Sequence, residues 1–138
     1  MTVREIAETY ELDFLDDMFH LGVQPPSLLT RVTDFIPEIV SFIEKIIEKG
    51  FAYPVPDGSV YFDLDNYSKE YVYGKLKPVS RNDIEVDAIG KKSSNDFALW
   101  KGKKIVDEPS WEAPWGGEGR PGWHIECSAM ARLDFAGK

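Results

Sequence analysis

Cysteine is almost missing from this chain: Cys127 is the single thiol among 138 residues. One thiol cannot close an internal disulfide, so nothing here calls for an oxidising compartment. A cationic excess is missing too. The formal charge is −8, and residues 1–96 hold 10 basic against 18 acidic side chains, while residues 97–138 hold 6 of each. An acidic surface repels phosphates, so the chain alone is expected to bind nucleic acid weakly or not at all. Long apolar runs are lacking as well. The richest one, Phe35–Ile47, is broken by Pro37, Glu38, Glu44 and Lys45, so no membrane span is expected. Arg4, Glu5, Glu8 and Glu11 give the first residues the wrong character for a secretory leader. Internal repeats and low-complexity stretches are absent. These exclusions leave a soluble, cytoplasmic domain.

What is present is enough apolar material for a core: 43% of the residues are hydrophobic, and 13% of the chain is aromatic. Thr2-Val3-Arg4-Glu5 has the form of a capping box, in which hydroxyl and carboxylate satisfy orphan amides at a helix start. Ile6, Ala7, Tyr10, Phe14, Leu15, Met18 and Phe19 follow at steps of three and four, predicting a helix with one broad apolar face to about His20. Leu21-Gly22 ends it, and Pro25-Pro26 blocks continuation. A second helix is predicted with Thr33 as its N-cap and Pro37 in its first turn. Ile36, Ile39, Val40, Ile43, Ile46 and Ile47 form its stripe, and Gly50 its stop. The two helices are expected to pair as a helical hairpin.

Phe51–Val55 and Val60–Leu64 flank Pro56-Asp57-Gly58-Ser59, the pattern of a β-hairpin. Residues 66–76 are rich in tyrosine and ambiguous, and 77–95 read as an exposed polar loop. Asp96–Lys101 (DFALWK) alternates Phe97 and Leu99 against Ala98 and Trp100, as a strand would. Pro109–Gly122 reads as a Gly/Pro-rich loop leading into a short helix from about Trp123. The order of elements predicts an α/β fold: a helical hairpin plus a small mixed β-sheet.

The stretch that carries chemistry is Pro109–Met130, where Trp111, Trp115 and Trp123 fall within thirteen residues. Helical geometry puts Trp123, Cys127 and Met130 on one face, within about 60°. A thiol in the first turns of a helix faces the positive end of the helix dipole, an environment that suits an anionic metal ligand. A zinc site needs three or four ligands, and His124 and Glu126 point roughly 60–100° away from Cys127 around the helix. From the residues alone, Cys127 is either a small buried core residue or a ligand whose partners lie elsewhere.

The string GRPGWHIECSAM (Gly119–Met130) resembles the signature of cysteinyl-tRNA synthetases, which are class I aminoacyl-tRNA synthetases. EPSWEAPWG (Glu108–Gly116), DFALWK, KGFAY (Lys49–Tyr53), DGSVYFD (Asp57–Asp63) and the helix IPEIVSFIEKIIEKG resemble the same family in the same order. The likeness runs from about Tyr10 to Met130, is weak at 66–95, and rests chiefly on the dodecamer. It implies that Cys127 is one of four ligands to a zinc ion and that Trp123 lines the amino-acid pocket. The family's other ligands, an early cysteine and a His and a Glu of a later PHHENE-like motif, have no counterpart in these residues. Neither do the HIGH-type and KMSKS-type motifs that hold ATP, so no catalytic or ATP-binding residue is expected here. The resemblance implies an internal fragment of a class I nucleotide-binding fold, with 1–95 as its connective insertion. Residues 96–138 would then be the return strand, Gly/Pro/Trp loop and zinc-ligand helix. One departure stands out. The family pattern Pro-Trp-Gly-x-Gly-Arg-Pro-Gly-Trp is one residue longer here, with Gly116-Gly117-Glu118-Gly119 between Trp115 and Arg120.

The implied function is that of a cysteine–tRNA ligase. Such an enzyme activates cysteine with ATP and passes it to tRNA(Cys), zinc selecting the substrate thiolate over a hydroxyl. The fragment itself is expected to be inactive. The alternatives are a fragment of a cysteine:amino-sugar ligase of thiol biosynthesis, or a non-catalytic α/β interaction module.

Overall fold

The computed structural model describes residues 2–75 and 90–135, with side chains as far as Arg132. Of the polar loop expected over 77–95, only 90–95 lie among the described residues. The chain divides into two compact units, Met1–Arg31 and Val32–Lys138.

In the first unit, helix α1 runs Val3–His20 from the predicted capping box. The Thr2 hydroxyl accepts from the Glu5 amide at 3.2 Å, and the Thr2 amide donates to Glu5 Oε2 at 2.6 Å. Its end is a Schellman turn: Gly22, at φ +76°, donates to Phe19 O, and Val23 donates to Met18 O at 2.9 Å. Arg31 folds back on the helix and donates from Nε to Glu11 Oε2 at 2.8 Å. The broad apolar face expected of α1 is not realised. No side chain of the helix is buried, and Tyr10, Leu12, Phe14 and Phe19 are all exposed. These positions are spread around the helix axis, so no one packing surface could cover them together.

The second unit holds the core. A short 3₁₀ turn, Val32–Asp34, precedes helix α2, Ile36–Glu48. The N-cap is Phe35, without a side-chain cap, and not Thr33. The 3₁₀ turn, closed by the Phe35 amide on Val32 O at 3.0 Å, takes up the residues a threonine cap would have used. Pro37 does fall in the first turn of α2, where its missing donor costs nothing. The stripe is real: Ile36, Ile39 and Ile43 are buried, and Gly50 at φ +77° closes α2 through Phe51 N–H to Ile46 O at 3.1 Å. The hairpin expected of α1 and α2 spans the two units. Within its own unit, α2 packs against β1 and the later helix α4.

The hairpin β1 (Ala52–Pro54) and β2 (Val60–Phe62) forms as predicted around Gly58, at φ +81°. Asp57 Oδ1 accepts from the Ser59 amide at 2.9 Å, the self-capping habit that makes aspartate a turn residue. The ambiguous tyrosine-rich segment opens with a one-turn helix, α3 (Leu64–Tyr67), capped by Asp63. Strand β3 (Phe97–Gly102) is the predicted one, but its burial does not alternate: Ala98, Leu99 and Trp100 are all buried. Both faces of the strand are covered, as befits the centre of a sheet.

The segment expected as a loop, Pro109–Gly122, instead contains two strands, β4 (Trp111–Glu112) and β5 (Glu118–Pro121). They form a hairpin, and β5 pairs with β3. The five strands lie in the order β1-β2-β3-β5-β4 with every neighbour antiparallel, so the expected mixed sheet is corrected to an antiparallel one. Each step between neighbours in space is a hairpin or an excursion that returns, which antiparallel pairing accommodates without a crossover helix. Helix α4 (Trp123–Phe135) follows β5 directly. Its Ile125 and Ala129 join Ile39, Ile43, Val60, Leu99 and Trp100 in the core.

Candidate functional site

The start of α4 is fixed by one glycine. Gly122 donates its amide to Leu99 O at 2.8 Å, closing on β3, and its carbonyl accepts from Ile125 N–H at 3.2 Å, opening the helix. A Cβ at this position would stand 2.0 Å from Ala98 O, so only glycine lets the backbone pass. Burial of Ile125, Ala129 and Met130 then sets the rotation of α4 about its axis.

That rotation turns Trp123 and Cys127 outward. Trp123 is 83% exposed, and Cys127, one turn later, is an exposed free thiol. Met130, expected on the same side, is buried and belongs to the core edge. His124 stacks obliquely on Phe97, with ring centroids 4.8 Å apart. Glu126 is half-buried, and burial raises its carboxyl above the ordinary range against the opposing pull of Arg120. Among the described residues no group of three or more His, Cys, Asp or Glu side chains could hold a metal ion. The chemistry of Cys127 fits zinc as a single soft donor; a complete tetrahedral set must draw on further residues.

Behind α4 lies a buried carboxylate that sequence reasoning missed. Asp96, 2% exposed, stands immediately before β3. Its Oδ2 accepts from Tyr53 OH at 2.6 Å and from Ser93 N–H at 3.1 Å, and its Oδ1 accepts from Leu64 N–H at 3.1 Å. Tyr53 OH in turn accepts from the Lys92 amide at 2.7 Å, while the Lys92 ammonium sits 4.2 Å from the Tyr53 ring centre. Burial first, and then the bond to Asp96, hold the Tyr53 phenol well above its ordinary range. This network pins the residue just before β3, next to the Phe97 ring that meets His124. No local signal could reveal it, because Tyr53 and Asp96 are 43 positions apart.

The glycines ahead of α4 carry a second lesson. Gly117, Gly119 and Gly122 fit the spacing Gly-x-Gly-x-x-Gly, which elsewhere cradles phosphates. Here packing explains two of them. A Cβ on Gly119 would meet Trp100 Nε1 at 2.3 Å and Lys101 O at 2.4 Å, while Gly122 presses on Ala98. Gly116 and Gly117, at φ +106° and +76°, make the β4–β5 turn, in which Gly116 N–H donates to Ala113 O at 3.1 Å.

A family model described as the tRNA synthetases class I (C) catalytic domain matches residues 1–138. The chain belongs to this family. It is 50% identical to the cytoplasmic cysteine–tRNA ligase of Dictyostelium discoideum over 92% of this chain and 21% of the relative. It is 48% identical to the cytoplasmic cysteine–tRNA ligase of Homo sapiens over 92% of this chain and 19% of the relative. Against the cysteine–tRNA ligase of Methanococcus maripaludis the identity is 49%, over 93% of this chain and 27% of the relative. The chain thus spans between a fifth and about a quarter of the length of these synthetase relatives. In this family member, an α/β unit with an antiparallel sheet presents one face of α4 to its surroundings. No helix among the described residues is long and apolar enough to cross a membrane.

Proposed function

We propose that this chain is part of a cysteine–tRNA ligase that activates cysteine with ATP and transfers it to tRNA(Cys), in the cytoplasm, as the names of the Dictyostelium and human relatives have it. Residues 1–95 would be the connective insertion, and 96–138 the return into the nucleotide-binding fold. The two segments share one sheet through the β2–β3 pairing. The observation that carries the reading is the exposure of Trp123 and Cys127 on one side of α4, in a chain that matches the family over its whole length. A buried thiol would have been a core residue; this one is available as a ligand. Cys127 would supply one of four donors to zinc, and Trp123 a wall of the amino-acid pocket. A bound zinc ion supplies a soft partner for the substrate thiolate that a serine hydroxyl cannot match. Recognition through so strong a polar contact gives large discrimination without separate editing. The 138 residues alone are expected to be inactive, since ATP handling is assigned to motifs outside them.

Charging of tRNA(Cys) by the complete protein, with ATP and zinc, tests the reading. Acylation that requires cysteine and ignores serine is the expected result. Cysteine-dependent ATP turnover without charged tRNA would move the chain to the amino-sugar ligases, and no activation at all would sink both. In the same protein, Cys127→Ser should lower bound zinc and raise the cysteine concentration needed for half-maximal activation. Unchanged zinc content would remove Cys127 from the ligand set.

A further inference from the structure

The chain's acidity has a local exception. Along α2, Lys45 and Ile46 stand three and four residues after Phe42, and Lys49 four and three residues after them, beside the buried stripe, and α4 brings Arg132 across to meet them. With Glu48 they line a groove of about 370 Å³. The Arg132 guanidinium lies 5.5 Å from the centre of the Phe42 ring, which holds its charge over the groove's apolar floor. Several other placed cations are neutralised by carboxylates: Arg31 by Glu11, Lys92 by Asp63, Lys103 by Glu118 and Arg120 by Glu108. Among the described residues, Lys45, Lys49 and Arg132 enter no ion pair. Three cations therefore face one carboxylate in a single groove, on a chain of net charge −8.

We infer that this α2–α4 groove holds the sugar–phosphate backbone of an RNA strand, with Lys45, Lys49 and Arg132 on the phosphates. Charge complementarity selects a polyanion, and the floor of Phe42 and Ile46 narrows the choice. A small free anion would leave those apolar groups uncovered, whereas a strand brings sugar faces to lie on them between its phosphates. The inference rests on the cysteine–tRNA ligase reading, and the RNA is then that enzyme's own substrate. The groove is separate from Trp123 and Cys127, neither of which lines it.

The test uses the complete protein and its tRNA. Lys45→Glu with Lys49→Glu changes two exposed side chains, so folding should survive. Binding of tRNA is measured by fluorescence anisotropy across a salt series, and cysteine-dependent pyrophosphate exchange is measured alongside. The double variant should bind tRNA at least about tenfold more weakly at low salt, and its log–log salt slope should flatten by about two, one for each lost phosphate contact. Exchange, which needs no tRNA, should continue, and Lys45→Arg with Lys49→Arg should restore binding. Unaltered affinity and slope in the glutamate variant, with exchange intact, would overturn the inference and leave an acidic protein surface as the groove's partner. Absence of exchange in the unaltered protein would remove the ligase reading itself, and the inference with it.

Discussion

At the scale of single residues, the site depends on side chains that must be absent as much as on those present. Gly122→Ala places a methyl group against the Ala98 carbonyl, a backbone atom that cannot swing aside. It should cost about 3 kcal/mol and lower the denaturant midpoint without changing the slope of the transition. Gly116→Ala has open space around it and only an unfavourable φ of +106°, so its cost should stay near 1 kcal/mol. Comparable losses for the two would show that close approach is not what Gly122 provides. Asp96 is the opposite case, a side chain that three donors require. Asp96→Ala leaves Tyr53 OH, Leu64 N–H and Ser93 N–H without their acceptor and should cost about 2–4 kcal/mol. Tyr53 adds a pH dependence. Because its phenol is raised in the folded state, its contribution is complete below the ordinary value of about 10 and is lost as pH climbs above it. Urea titrations between pH 8 and 11 should show stability falling at the alkaline end, and Tyr53→Phe should flatten that fall.

At the scale of elements, local and non-local signals separate cleanly. The start of α1 is written in four residues, and Thr2→Ala, which removes the capping oxygen, should cost that helix about 1 kcal/mol, read as lost helicity by circular dichroism. The stripe of α2 and the Gly50 stop were equally legible, because periodicity and a positive φ are properties of neighbouring residues. The β4–β5 hairpin was not. Gly-Arg-Pro has no strand propensity, and β5 exists because β3 offers it partners and because glycine lets it approach Trp100. The cap of α2 was misplaced for a related reason: the 3₁₀ turn before it competes for the same residues.

At the scale of the whole molecule, the core lies within Val32–Lys138, and every residue of its buried set belongs there. A chain beginning at Val32 should therefore keep a cooperative thermal transition, with a midpoint within a few degrees of that of the 138-residue chain, since one or two kcal/mol moves a domain of this size by about that much. Loss of the cooperative transition on removing residues 1–31 would show that the core is not self-sufficient.

The sequence by itself determined α1, α2, the first hairpin, the strand DFALWK, the helix carrying Cys127 and the family, because each is signalled by residues close together in the chain. Only the tertiary structure decided that the sheet is antiparallel throughout, that the Gly/Pro/Trp segment supplies two of its strands, and that Asp96 is buried against Tyr53. It also settled which way α4 faces. The spacing of Trp123, Cys127 and Met130 placed all three on one side, and the core drew Met130 inward while leaving the other two exposed, because burial depends on what packs against a helix and not on the helix alone.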